Sequence, residues 1–385
     1  MAGSDSADSA QRLLAERWFL ERGLPAVLRP GALVRRVWPR SAPALAAYAV
    51  VMTFSLVFVL TTGKHTVDIA GSPTGAEWFV LASIALVAPA AALAGWLVSR
   101  LTGDRTRIAV STASTALVLT SAAVGGPTPR FLVDMLVEGA VLCLILVCTA
   151  TGVGAILGWT VRVMLANLAS VGNLLLGALP VMLLTVLVFF NGPVWTMAAT
   201  VNRPRLWLAL LFLFAIAVSF LLSSTLTQVR PILQPDAKRP EDAGHLVGTP
   251  FETMPDRPRR VALSKAERLN VAFVLALSQI VQVMTVALVT GMLFGVLGLI
   301  LVSPELLAAL TDGGSSDGRI LGMTLPIPQA LIQLTMFLTA LTFMYLAARA
   351  VGDSEYRSRF IEPLVDDLRL TLVARDRYRT ATKSR

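Results

Sequence analysis

This sequence predicts an all-α fold, a polytopic bundle of membrane-spanning helices, on three observations. Its 385 residues are 55% hydrophobic and 15% charged, with mean hydropathy +0.70, whereas globular domains run near 45–50% apolar and about 25% charged. A soluble surface cannot hide that excess, but lipid can. The apolar residues fall in runs with few charges, long enough to cross a hydrocarbon core of about 30 Å, which takes about 20 residues of helix. The cations flank those runs. The formal net charge of +9 therefore reads as topology and not as a nucleic-acid footprint. No nucleic-acid partner is expected, and the partner this composition demands is the lipid bilayer.

Eight spans follow in order. The first runs from Ser41 to Gly63 and the second from Trp78 to Ser99. The third, Ile108 to Pro129, is rich in Ala, Ser and Thr, a composition that suits a helix enclosed by others. The fourth, Phe131 to Trp159, carries two acids. The fifth is centred on Leu174 to Phe190. The sixth covers Leu206 to Val229, the seventh Leu269 to Pro304, and the eighth Ile320 to Ala348, centred on Pro328 to Leu346. With both termini in the cytoplasm, this arrangement puts 28 of the 33 Lys and Arg residues on the cytoplasmic side. Without the third span only 14 would lie there, so the positive-inside rule favours eight spans in the plasma membrane. Trp38, Trp78, Trp96, Trp159, Trp195 and Trp207 fall near span ends, where an apolar ring with a polar N–H is favoured.

The segments outside the spans complete the map. Residues 1–40 form a basic cytoplasmic arm, 41–229 hold spans one to six, 230–263 a Pro-rich cytoplasmic linker, 264–348 spans seven and eight, and 349–385 a basic cytoplasmic tail. The polar start and the charges that follow it predict an uncleaved arm. Ala10 to Leu28 predicts an amphipathic helix with Leu13, Leu14 and Trp18 on its apolar side. Arg357 to Arg379 predicts another, with Ile361, Leu364, Val365, Leu368 and Leu372 at helical spacing. Each either lies on the anionic inner leaflet or packs against the protein's own cytoplasmic loops. The linker's six prolines predict irregular chain. It ends at Ser264-Lys265-Ala266-Glu267, a capping box that starts the seventh helix below the membrane.

Few residues carry chemistry. Asp134 and Glu138 stand four apart, stacked on one helix face near the exterior end of the fourth span. Two carboxylates that close should not both ionise. Intramembrane acids of this kind serve as proton or cation sites, although Arg130, one turn earlier, offers Asp134 an ordinary salt bridge. Gln279 and Gln282 on span seven, and Gln329 and Gln333 on span eight, read as interhelical hydrogen-bonding residues. Gly291-x-x-x-Gly295 and Gly298 permit close helix approach, and Pro89 and Pro180 predict kinks. Cys143 and Cys148 read as small buried apolar side chains. Asp68 and Glu77 share the first exterior loop. The sequence contains no phosphate-binding loop, no H-E-x-x-H and no G-x-S-x-G. His65 and His245 lack ligand partners at useful spacing. No catalytic residue, metal site, cofactor or enzymatic activity is expected.

Three stretches carry a resemblance: ERGLPAVLRPGALVRRVWPRSAPAL from Glu21 to Leu45, LPVMLLTVLVFFNGPVW from Leu179 to Trp195, and DDLRLTLVARDRYR from Asp366 to Arg379. They resemble a group of uncharacterised multi-pass integral membrane proteins of high-GC actinobacteria. The resemblance implies a membrane class and a lineage, and no site residues. Three functional readings stand. The first is a transporter or permease-like protein using Asp134 and Glu138. The second is a non-catalytic membrane component that docks a protein partner at its cytoplasmic face. A membrane-embedded enzyme ranks third.

Overall fold

The computed structural model describes residues 2–28, 30–63, 68–69, 73–124, 131–167, 186–187, 189–232, 246–254, 263–313, 316–320, 323–352 and 362–383. The chain runs through α1 (Ala2–Glu21), a 3₁₀ turn (Pro25–Val27), α2 (Pro30–Val34), α3 (Val37–Thr62), α4 (Gly75–Ser99), α5 (Asp104–Val124), α6 (Phe131–Thr151) and α7 (Val153–Asn167). There follow α8 (Gly192–Thr200), α9 (Arg203–Ile232), α10 (Lys265–Leu301), α11 (Pro304–Leu310), strands β1 (Asp317–Ile320) and β2 (Met323–Pro328), α12 (Gln329–Gly352) and α13 (Glu362–Lys383). Among the described residues, six helices are long and apolar enough to cross a membrane: Val37–Thr62, Glu77–Ser99, Leu132–Thr151, Arg203–Thr225, Lys265–Leu301 and Gln329–Arg349. This is an all-α protein built for a bilayer. The fifth expected span lies largely outside the described residues, as do Pro180, His65, His245 and most of the linker.

The chain divides into two units, one of them Pro30–Gly154 with Ser316–Pro328. In this unit α3 packs on α4, α5 and α6. Leu45 and Ala49 of α3, Val118 of α5 and Leu142 of α6 form a buried cluster. A Cβ at Gly95 would sit 3.2 Å from Pro43 O and 3.5 Å from Ala47 Cβ, so the absence of a side chain there sets how closely α4 approaches α3. At one end of the cluster, Arg40 donates to Leu33 O of α2 at 2.7 Å and to Thr149 O at 3.2 Å, the latter a carbonyl in the last turn of α6, where a cation is favoured. The β1–β2 hairpin is antiparallel. It joins this unit through Ile69 N–H, which donates to Thr324 O at 3.0 Å, and through Leu325, which packs with Ile69 and Val80.

The serine- and threonine-rich third span forms α5, although its composition keeps it out of the six apolar helices. Its inward stripe is Ser111, Ser114 and Val118, all buried. Ser111 Oγ donates to Trp38 O at 2.8 Å. Leu117 and Leu119 stay exposed, so the helix is covered on one face only. The fourth span is shorter than Phe131 to Trp159. Gly152 takes a left-handed φ of 84°, ending α6 at Thr151, and α7 starts afresh at Val153. A left-handed residue is the common stop of a helix, and glycine adopts it without a Cβ clash.

The other unit is Met1–Arg29, Ala155–Ser315 and Gln329–Arg385. Its apolar centre joins α9, α10 and α12 through Ala217, Leu221, Val283, Ala287, Phe343 and Ala347. The glycines of α10 face α12. A Cβ at Gly291 would overlap Thr339 Oγ1, and one at Gly298 would overlap Leu331 Cδ1, whereas one at Gly295 would rest 3.7 Å from Thr335 Cγ2. Two of the six tryptophans expected at interfaces are instead packed inside. Trp195 is fully buried beside Phe189, and Trp159 is buried against Ile156 and Val274. Trp78, Trp96 and Trp207 remain exposed.

The terminal helices belong to this same unit and pack on the chain itself. α1 buries Ala15 and Phe19, one turn apart, while Leu13 and Leu14 stay exposed. The inward face is thus rotated from the Leu13–Leu14–Trp18 stripe expected from sequence. Phe19 meets Phe251 at 5.2 Å and Tyr378 at 5.6 Å between ring centroids, and Trp18 meets Phe251 at 4.9 Å. Phe251 and Leu246 are fully buried, and residues 246–254 of the linker form a set of turns. α13 contributes Leu368, Leu372, Val373 and Tyr378. The expected face positions Ile361, Leu364 and Val365 lie outside the described side chains.

Candidate functional site

The acid pair sits on α6. Leu132, Val133, Leu136 and Val137 face outward and are exposed, and Asp134 is exposed with them. Glu138 is turned the other way and is only 8% exposed. Leu142, one turn further on, packs against Leu45, Ala49 and Val118, which places Glu138 on the inward face of α6. Seven residues of helix at 1.5 Å each put it about 10 Å beyond the start of α6. Glu138 Oε2 is buried and has no hydrogen-bond partner among the described residues. Arg130, the expected partner of Asp134, lies outside the described residues. The two acids are therefore unequal: Asp134 is exposed, and Glu138 is enclosed with one oxygen unpartnered among the described residues.

The four glutamines divide into two places in the other unit. Gln279, buried on α10, accepts from Thr225 Oγ1 of α9 at 3.1 Å. Gln282, one turn on, has a buried Nε2 with no partner among the described residues. Gln329 and Gln333 lie at the start of α12. With its amide nitrogen turned toward carbonyl groups, Gln333 donates to Ala198 O at 3.0 Å and Val201 O at 3.1 Å, and its oxygen accepts from Gln329 Nε2 at 2.7 Å. That orientation follows from the network, because oxygen and nitrogen are told apart only by their partners. Gln333 thereby satisfies carbonyls at the C-terminal end of α8, which no intrahelical N–H can reach. Gln329 Oε1 accepts in turn from Arg203 Nη2 at 3.1 Å.

A buried charge cluster at the base of α10 has only one member visible by local pattern. Ser264 caps the helix as the capping box predicts: its Oγ accepts from Glu267 N–H at 3.2 Å, and Glu267 Oε2 accepts from Ser264 N–H at 2.8 Å. The same carboxylate accepts from Arg375 Nε at 2.9 Å and Nη2 at 2.8 Å, a two-pronged pair with both side chains 1% exposed. Arg379 Nη2 approaches Glu267 Oε1 at 2.9 Å, and Arg375 Nη1 donates to Asp376 Oδ1 at 2.7 Å. Burial disfavours the Arg375 cation, but the bonds and charges of Glu267 and Asp376 outweigh it and raise the guanidinium above its ordinary pKa. Arg377 Nη1 donates to Phe251 O at 3.1 Å, and Arg22 pairs with Asp367. These contacts knit α1, residues 246–254, α10 and α13 together. The signals available in sequence were the capping Glu267 and a run of cations at positions 375, 377 and 379. Nothing local pairs residues 108 positions apart.

Two further expected positions have structural places. Glu77 caps α4, its Oε2 accepting Thr74 N–H at 2.7 Å and Thr74 Oγ1 at 2.8 Å. Asp68 forms an isolated backbone bridge with Thr324. Cys143 and Cys148 are free thiols, Cys143 exposed and Cys148 half-buried, so neither is the buried side chain the sequence led one to expect. Among the described residues, no three His, Cys, Asp or Glu side chains gather in a way that would hold a metal. The chain matches no protein-family model, no curated protein and no solved structure.

Proposed function

We propose that this is a protein of the cell membrane that crosses it eight times with both termini in the cytoplasm, and that it works as a permease-like transport protein in which Glu138 takes up and releases a proton or cation. The carrying observation is the enclosed Glu138 carboxylate, on the inward face of an apolar helix, with Oε2 unpartnered among the described residues. A charge left so in a bilayer is costly unless it is protonated or paired with a cation, and ionisable residues retained there mark ion pathways. The six apolar helices support the membrane class. The distribution of Lys and Arg supports the two further spans and the cytoplasmic termini. The test is the thermal midpoint of the protein in detergent as pH, Na⁺ and K⁺ are varied. Wild type should respond to at least one of them, and Glu138→Gln should keep a similar midpoint at neutral pH and lose the response. Equal responses in the two proteins sink the reading.

A second reading has its own observation. α1, residues 246–254 and α13 form one ordered body at the base of α10, and on it Leu13, Leu14 and Val247 stay exposed. That body supports a non-catalytic membrane component whose cytoplasmic face docks a protein partner. Leu14→Asp with Val247→Asp should then abolish partner binding and leave the response to cations intact. No enzymatic activity or cofactor is proposed.

A further inference from the structure

Between α9, α10 and α12 runs an open apolar groove of about 520 Å³, within the range of cavities that hold small ligands, roughly 300–1,000 Å³. Trp207 and Phe214 of α9, Met284 and Met292 of α10, and Met336 and Phe343 of α12 form its walls. Small residues, Gly291 and Ala340 among them, form its floor. Thr335 to Phe343 at 1.5 Å per residue make it about 12 Å long. That is too short for a partner helix, which must cross about 30 Å of hydrocarbon. It suits a flexible chain one methylene wide, and methionine walls adapt to such an occupant.

One end of the groove is charged. Arg203 lies four residues before Trp207 and so on the same face of α9, one turn beyond the wall. Gln329 lies seven residues before Met336, two turns beyond the wall on α12. The Arg203 guanidinium is held by Gln329, Gln329 by Gln333, and Gln333 by the carbonyls of Ala198 and Val201. Among the described residues Arg203 makes no other polar contact, so most of its donors remain available in a fixed orientation. A guanidinium fork at the mouth of an apolar groove, beside an exposed tryptophan of interfacial type, is complementary to a phosphate joined to a hydrocarbon tail.

We infer that the groove holds one acyl chain of an anionic phospholipid whose phosphate is bound by Arg203, with Gln329 and Gln333 as positioning residues. In the eight-span topology this is a lipid of the exterior leaflet. The inference needs the membrane class and is independent of Glu138, so Glu138→Gln should leave lipid binding unchanged.

The test uses the full-length protein, stripped of lipid in detergent, with thermal midpoint as the readout. Phosphatidylglycerol should raise the midpoint, whereas phosphatidylcholine and inorganic phosphate should not. Arg203→Gln should weaken the apparent phosphatidylglycerol affinity at least tenfold, Arg203→Lys less, and Ala340→Phe, which fills the groove, should abolish the effect. Phosphatidylglycerol carrying a diazirine on its acyl chain should label α9, α10 and α12 around Met292 and Met336 in wild type, a measurement that needs no variant to fold. The inference is overturned if the label lands elsewhere, if phosphatidylcholine or phosphate alone reproduces the shift, or if Arg203→Gln binds as wild type. A second copy of the chain covering this face, detected by native mass spectrometry, would also overturn it.

Discussion

Replacing Arg375 by methionine is the perturbation that most directly tests how the body at the base of α10 is held. Methionine keeps the length and apolar stem of the side chain and removes the fork. Two carboxylates lose a cation at once, because Glu267 takes the bonds at 2.8 and 2.9 Å and Asp376 the one at 2.7 Å. Breaking a buried ion pair costs about 3–5 kcal/mol; Glu267 keeps Arg379 at 2.9 Å, so Arg375→Met falls in the lower part of that range, about 3–4 kcal/mol. Glu267→Gln is milder. The amide oxygen can still accept from Ser264 N–H, and Arg375 keeps Asp376, so the loss is that of one charged hydrogen-bonded partner, about 1.5–3 kcal/mol. The two effects are coupled: in an Arg375→Met background, Glu267→Gln should add at most about 1 kcal/mol, since its main partner is already gone. The assay is limited trypsinolysis in detergent, which cuts at Arg369, Arg375, Arg377 and Arg379 once α13 opens. Release should be fastest for Arg375→Met, slower for Glu267→Gln and slowest for wild type. Wild-type resistance in Arg375→Met, or equal and additive effects of the two substitutions, would refute the shared-cation account.

Three other outcomes are expected. Gly291→Ala should destabilise by roughly 1–3 kcal/mol through overpacking on Thr339, while Gly295→Ala, with ordinary contact at 3.7 Å, should be neutral or gain up to about 1 kcal/mol of helix propensity; thermal midpoints decide. Thr115 Oγ1 is buried without a partner among the described residues, so Thr115→Val should hold or raise the midpoint, whereas Thr115→Arg should cut the level of folded protein, a mid-membrane charge costing at least about 2.5 kcal/mol; normal accumulation of the arginine variant would remove α5 from the membrane. In a background with Cys143→Ala and Cys148→Ala, an impermeant thiol reagent added to intact cells should label a cysteine at Asp317 and spare cysteines at Val247 and Thr380; labelling at Val247 would overturn the eight-span topology.

What the sequence disclosed depended on the range of the physics involved. The Ser264–Glu267 box is readable because its partners are three residues apart, and the apolar helices because membrane insertion depends on length and composition. Gly291 and Gly298 announced a close neighbour without identifying it as α12. The break at Gly152 was hidden, because the residues on both sides are equally apolar and hydropathy marks no boundary there. The burial of Trp195 was hidden for another reason: tryptophan is common at interfaces, and only the fold shows it packed beside Phe189. Leu13 and Leu14 point away from the buried face because α1 docks through Ala15 and Phe19, a choice made by Phe251 and Tyr378, more than 200 residues away. For the acid pair, spacing disclosed the shared helix and not the asymmetry, which depends on how α6 turns the Glu138–Leu142 face toward α3 and α5 and leaves Asp134 exposed.

The β1–β2 hairpin has a consequence for biosynthesis. Ile69 and Val80 leave the ribosome early, but Leu325, which seals them, follows 245 residues after Val80. At about 5–20 residues per second, that apolar patch waits between roughly ten seconds and a minute for its cover. During that interval the end of α3 is a half-built surface in need of temporary shelter, and insertion factors or neighbouring lipid must supply it. Shortening the chain before residue 323 would make the vacancy permanent, so truncated products should be marked for proteolysis while their membrane helices are still intact.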